Sequence, residues 1–481
     1  MTDKNYFNRL LIILLVSLVA GIGMYWLPDK VLGFSLKKVD LLADLRVKAE
    51  KMSLDSLLKE MDAEIFAPVD SLLESDSTLV RGLNTVQLLE RDSLYRLVSS
   101  GIETDTIPVR IEDFSVGRTG LKHFFAMLNQ IQSLERPVRI AFLGDSFIEG
   151  DIILADFRAK MQTHFGGGGV GFVPVSTAAA QYRPTINQRA RGWHTRSILS
   201  NKQYTYVLSG LLFETEANEA SITFKTADTY PGLDKASSLK FIYARNEQSA
   251  IRLIYNNSKD TIDDVLPATE KIAQYELEGV FTDGTLHFRN AQGLQALGLA
   301  FEDNKGVVVD NFSLRGNSGV NMADMDVNSC FALHEIRPYD LIILQFGLNV
   351  TSEEMLHYGW YRDRMVGVIE HIRQCFPETD ILLLGVSDRS YLQDGVYRTM
   401  PAVVSLLRAQ YQVAQQAMIP FWSTYDAMGG ENGMVRYVNR RWASTDYTHL
   451  SFRGGREIAT LLFNALMLEK ELYDEMEKLE N

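Results

Sequence analysis

Four short stretches carry residue types that could act together. Gly144-Asp145-Ser146-Phe147 sets a serine where an apolar run ends, and a serine on a sharp strand-to-helix turn can point its hydroxyl into a crevice. Gly316-Asn317-Ser318-Gly319 follows the run Gly306-Val307-Val308-Val309-Asp310, and Gln345-Phe346-Gly347-Leu348-Asn349 again ends an apolar run. Asp446-Tyr447-Thr448-His449 places a carboxylate three residues before an imidazole. Such a carboxylate can hydrogen-bond the ring, fix its tautomer and stabilise the imidazolium formed when the ring takes a serine proton. The expected chemistry is nucleophilic attack by Ser146 with Asp446 and His449 as the base. None of the four stretches decides this alone, since an Asp-x-x-His segment is more often a loop hydrogen bond.

The elements around these residues supply the frame. Val138-Arg139-Ile140-Ala141-Phe142-Leu143 has the continuous apolar character of a buried strand, as do Tyr339 to Phe346 and Asp380 to Val386, and each precedes a helical pattern. The helical segment after Ser146 ends at Phe165, where the glycines Gly166 to Gly169 suit a helix terminus. Alternating buried strands and helices predict a mostly parallel sheet with helices on both faces and an active site at the strands' carboxyl ends. Between Lys202 and Lys305 the grammar changes to alternating segments such as Leu239-Lys240-Phe241-Ile242-Tyr243, separated by Asn, Asp and Gly. That pattern predicts an antiparallel β-sandwich or jelly roll. Substrate binding and a structural lid are both open to it.

Ahead of this body, residues 31–100 are rich in Leu, Asp, Glu, Lys and Ser at near-helical spacing, which predicts a helical stalk or linker. Leu10 to Leu27 is an uncharged, mostly aliphatic run preceded by Lys4 and Arg9 and closed by Tyr25, Trp26 and Pro28. It is about the length needed to span a bilayer, with flanks that place the N-terminus in the cytoplasm. An uncleaved single-pass anchor in a bacterial inner membrane is expected, with the rest of the chain in the periplasm.

Composition removes several function classes. A net charge of −13 argues against nucleic acid, which requires clustered cations. Two cysteines, Cys330 and Cys375, fit neither a disulfide scaffold nor a C-x-x-C site and are read as buried thiols. The glycine tract lacks the Gly-Lys-Ser/Thr of a phosphate loop, and Ile148 breaks the G-x-S-x-G pattern. Eight scattered histidines with no H-E-x-x-H give no metal mechanism, and no cofactor is expected. His164 and His194 read as surface or structural groups. Trp193 suits either a sugar subsite or the core.

The order G-D-S, loop glycine, G-x-N, D-x-x-H resembles the four blocks of the SGNH (GDSL-like) hydrolase superfamily. The resemblance implies Ser146 as nucleophile and Asp446 with His449 as its base. It also implies an oxyanion site made by the Ser146 amide, the Gly319 amide and the Asn349 side chain, with Gly316 as the alternative to Gly319. The family's frequent aspartate after the asparagine is Val350 here. Gly144-Asp145-Ser146 followed by Gly150-Asp151 and His164 to Pro174 is similar to the opening of the periplasmic peptidoglycan O-acetylesterases, which carry an inserted carbohydrate-binding-like β-domain.

The organisation expected is an anchor over 1–30 and a stalk over 31–135. A three-layer α/β/α, flavodoxin-like SGNH domain follows over 136–201 and 306–481, interrupted by a β-sandwich over 202–305. The resemblance implies an esterase removing O-acetyl groups from a polysaccharide, peptidoglycan foremost. An O-acetyltransferase working beside a membrane acyltransferase would use the same residues. A non-catalytic glycan-binding protein is the alternative from another class.

Overall fold

A computed structural model describes residues 109–480 except Gln181, together with the short antiparallel pair Lys30–Val31 and Phe34–Ser35. The apolar run Leu10–Leu27 and residues 36–108 of the expected stalk lie outside the described residues. Among the described residues no helix is long and apolar enough to cross a membrane.

The central sheet runs in the spatial order Val307–Ser313, Val138–Gly144, Leu341–Gln345, Asp380–Gly385 and Pro420–Ser423, all parallel. By chain order this is 2-1-3-4-5, the flavodoxin-like arrangement, and its switch point lies between Val138–Gly144 and Leu341–Gln345. Both of those strands are buried along their whole length, which is why they read as unbroken apolar runs. Helices Leu154–Phe165 and Phe452–Glu480 pack together, while Val327–Ile336, Gly359–Cys375 and Pro401–Ala417 pack in succession. Cys330 and Cys375 are free and buried on two of these helices.

Residues 109–135 depart from the expected stalk. Glu112–Asp113 adds an antiparallel edge strand beside Pro420–Phe421, and helix Lys122–Asn129 buries Phe124, Phe125 and Leu128 in the main core. Aromatic residues on one face of a helix need a partner surface, and the sheet supplies it.

Two antiparallel sheets form the inserted unit. One has the order Ala273–Glu278, Ser238–Arg245, Gln295–Glu302, Leu211–Glu214 and His194–Ser197. The other has the order Asp260–Val265, Ala250–Tyr255, Asp283–Arg289, Glu219–Thr226 and Ile186–Arg191. Phe213, Phe241, Phe224, Phe288 and Phe301 fill the space between them. Trp193 joins that filling edge-on to Phe288, with ring centroids 5.6 Å apart, so its ring is a packing element.

The β unit begins earlier than residue 202. Gly171–Pro174 pairs with Gln295–Glu302, and Ile186–Arg191 pairs with Glu219–Thr226. The latter strand buries Ile186 and Gln188 and turns Asn187, Arg189 and Arg191 to solvent, so it lacks the apolar alternation that marks a strand. Gly169 shows why the glycine tract sits at the junction. Its φ is +82°, and a Cβ there would lie 2.2 Å from the Phe301 carbonyl oxygen.

Candidate active site

The strand Val138–Gly144 ends in a turn too tight for a side chain. A Cβ on Gly144 would lie 2.7 Å from Ile148 and 2.8 Å from the Gln345 carbonyl oxygen. Between residues 138 and 151 every residue is buried except Ser146, so this turn presents one side chain outward, and that side chain is a hydroxyl.

Asp151, whose φ is +61°, fixes the far side of the turn. Its carboxylate accepts from Arg183 Nη2 at 2.9 Å, Thr185 Oγ1 at 2.5 Å and Asn311 Nδ2 at 2.8 Å, with Arg158 Nη1 at 3.4 Å. Burial alone would raise this carboxyl, but the guanidinium groups of Arg183 and Arg158 and the two side-chain donors outweigh it and hold it well below the usual carboxylate range. Asn311 Nδ2 also donates to the Ile148 carbonyl. The Ser146 turn is thereby tied to the strand Val307–Ser313 and to the segment leading into the β unit. Sequence reasoning singles out Gly150-Asp151 without giving Asp151 these partners, all four of which lie outside that pair.

The last motif meets the first across 303 chain positions. Ser146 Oγ lies 3.2 Å from His449 Nε2, and His449 Nδ1 lies 2.8 Å from Asp446 Oδ2. The other Asp446 oxygen accepts from the backbone amides of Thr448 at 2.9 Å and His449 at 3.0 Å. Burial works to raise the Asp446 carboxyl, but the bonds from the His449 amide and ring and from the Thr448 amide prevail and hold it below its ordinary value. The carboxylate thus stays ionised and sets the imidazole tautomer with Nε2 facing the serine. The side chains of His449 and Asp446 are 40% and 47% exposed, so the site opens to solvent.

Asn349 stands at the end of the neighbouring strand. Its Nδ2 donates to Asp145 Oδ2 at 3.0 Å and to the Asn317 carbonyl at 2.9 Å. The Gly319 amide donates to Asn317 Oδ1 at 2.9 Å. Asn317 therefore joins the two donor groups singled out beside Ser146, and it is buried. Both donors are engaged within the protein, so an oxyanion would share or displace those acceptors. Gly316 is exposed on the preceding turn. Sequence reasoning placed Asn317 inside a motif without giving it a role. Asp145, fully buried, is pushed up to about 7 by desolvation, which the Phe147 amide, His449 and Asn349 only partly oppose.

A hairpin missed by the sequence reading, Ser390–Gln393 with Val396–Thr399, stands beside the Asp446–His449 loop, and Ser390 N donates to the Tyr447 carbonyl. Its turn is Asp394-Gly395, both with positive φ, a strong local hairpin signal. Among the described residues no group of three His, Cys, Asp or Glu side chains could hold a metal ion.

No protein-family model and no curated protein sequence matches this chain. Among solved structures, it is similar to a peptidoglycan O-acetylesterase at 20% sequence identity and a TM-score of 0.61, over 75% of this chain and 99% of that one. A family two carbohydrate esterase from Cellvibrio japonicus is matched over 60% of this chain and 99% of that one, at 11% identity and a TM-score of 0.25. At 20% identity the first likeness establishes the fold, a parallel α/β sheet with an added antiparallel β unit.

Proposed function

We propose that the protein is a serine esterase that removes O-acetyl groups from a polysaccharide, with peptidoglycan as the favoured polymer. The observation that carries the reading is the single outward hydroxyl of Ser146 in line with His449 and Asp446 at the switch point of the sheet.

Ser146 Oγ attacks the acetyl carbonyl while His449 Nε2 takes its proton, and the ionised Asp446 stabilises the imidazolium. The oxyanion is met by the Ser146 and Gly319 amides and by Asn349 Nδ2, drawn from their bonds to Asn317 and Asp145. Collapse of the tetrahedral species returns the proton from His449 to the leaving sugar oxygen and leaves acetyl-serine. Water, deprotonated by His449, then releases acetate. The half-exposed His449 and Asp446 suit an ester carried on a polymer, which cannot enter a closed cavity.

The apolar run Leu10–Leu27 supports an anchor that leaves this unit on the outer face of an inner membrane, where peptidoglycan is the nearest acetylated polymer. The same run supports a second reading, transfer of the acetyl group to a sugar hydroxyl beside a membrane acyltransferase.

The test is acetate released from O-acetylated peptidoglycan and from acetylated xylan by the full chain. Faster release from peptidoglycan supports the reading. Release from xylan alone would remove peptidoglycan from it, and acetyl transfer to added sugar without release would favour the transferase.

A further inference from the structure

The outer face of the five-stranded sheet in the β unit has a charge pattern that the esterase chemistry does not use. Strand register lines up Arg191, Ser221, His287 and Arg252 across four adjacent strands, with Asp263 closing the row on the fifth. At about 4.8 Å between neighbouring strands, Arg191 and Arg252 stand about 14 Å apart. The next row begins with Arg189 opposite Thr223 and Thr285.

No acid stands opposite Arg189 or Arg191, whose register partners are Thr223 and Ser221. Arg252 is held by Asp263 at 2.5 Å, and Arg289 stands opposite Glu219. Arg189, Arg191, His287 and Arg289 are all exposed. An open groove of about 400 Å³ runs along this face, bordered by Arg191, Ser221, Arg252, His287 and Arg289, with Glu219 beside Arg289 as its one acid.

This basic face belongs to a chain of net charge −13, so it is a local reversal of the overall sign. The outward positions of the five strands include no aromatic residue, because Phe224, Phe288 and Tyr255 point to the inner side. A neutral sugar ring recognised by stacking on an aromatic face has nothing to stack on here. Carboxylates do have partners, since the planar guanidinium fork takes them through paired, charge-assisted hydrogen bonds.

We propose that this face binds the carboxylates of a peptidoglycan strand, gripping the polymer through its peptide stems while Ser146 acts on an ester. The assignment rests on the polysaccharide esterase reading and adds the anionic character of the substrate.

Co-sedimentation of the full chain carrying Ser146→Ala with insoluble O-acetylated peptidoglycan tests it. Adding Arg189→Ala and Arg191→Ala is expected to weaken association by about tenfold or more, the loss of two charge-assisted contacts. Salt at about 0.5 M is expected to weaken the parent protein comparably, because exposed charges are screened. Acetylated xylan, which is uncharged, is expected to retain parent and double variant alike. Both arginines are exposed on an edge strand, so unfolding midpoints of the two proteins are expected to agree. Equal sedimentation of parent and double variant at low salt, or sedimentation of the parent that salt does not weaken, overturns the assignment. Hydrolysis of p-nitrophenyl acetate by the wild type reads the esterase chemistry separately, so its failure sinks that reading while the sedimentation result still decides the role of the arginines.

Discussion

The ring of Tyr397 lies flat on the ring of Tyr447, with centroids 3.6 Å apart and planes 9° from parallel. Tyr447 sits between Asp446 and His449 with a φ of +55°, a conformation that a bulky side chain rarely adopts unless neighbours hold it. The stack and the bond from Ser390 N to the Tyr447 carbonyl are those neighbours. An aromatic pair contributes about 0.5–1.5 kcal/mol beyond burial, so Tyr397→Ala is expected to lower kcat by about three- to tenfold with KM little changed. Tyr397→Phe keeps the ring and should restore the rate. Steady-state kinetics on p-nitrophenyl acetate checks both, and a Phe variant as slow as the Ala variant would remove stacking as the cause.

Asp446→Asn is expected to cost about 10³–10⁴-fold in kcat, since an amide can donate to the ring and favour the wrong tautomer. The ionised state of the native carboxylate rests on the His449 and Thr448 amides, which remain in the variant. Unchanged thermal stability beside the lost rate would confirm that the residue orients the base.

Asn349→Ala removes a side-chain donor that lies beside Asp145 and should lower kcat by about 10²–10³-fold. Asn317→Ala frees the Gly319 amide but leaves its own carbonyl on Asn349. A smaller loss is expected from it, carried by the looser placement of Gly319. The two rates, measured on one small ester, check the order.

Stability should fall with rising pH through the Asp145 carboxyl. Its ordinary value is 3.8, and burial pushes it up to about 7 in the folded chain. Between those values the folded protein holds a proton that the unfolded chain has released. This contribution is full below the unfolded value and is lost as pH rises through the folded one. Asp380, also pushed up to about 7 by burial, adds a second contribution of the same sign. Asp145→Asn is therefore expected to flatten, without abolishing, the decline in unfolding midpoint between about pH 4 and 7. Parallel midpoint curves for the two proteins would contradict it.

Arg183→Met leaves the buried Asp151 with Arg158 as its remaining guanidinium partner. Breaking a buried ion pair from one side costs about 3–5 kcal/mol, which chemical unfolding would read as a lower midpoint.

The parallel strands that sequence made legible share one physical property. Val138–Gly144 and Leu341–Gln345 are buried on both faces, so each reads as an apolar run that stops at its polar motif. The polar strand Ile186–Arg191 exposes one face on the edge of a sheet and shows no such run. Helix Lys122–Asn129 is short and lies next to a stretch of stalk-like composition. The pairing of Ser146 with His449 spans 303 chain positions, so the resemblance of motif order had to supply it. The links from Asp151 to Arg183 and from Asn317 to Asn349 join residues that no short spacing connects. The Asp394-Gly395 turn, in contrast, carries its signal locally, in two adjacent residues suited to positive φ.

The most direct test of the central claim is acid-quenched peptide mass mapping of the wild type and of Ser146→Ala during turnover of p-nitrophenyl acetate. One acetyl group on the peptide containing Ser146, absent from the variant, with acetate release reduced by about a thousandfold or more, is the expected result. Acetate release that survives Ser146→Ala, or acetylation at a different residue in the wild type, would contradict it.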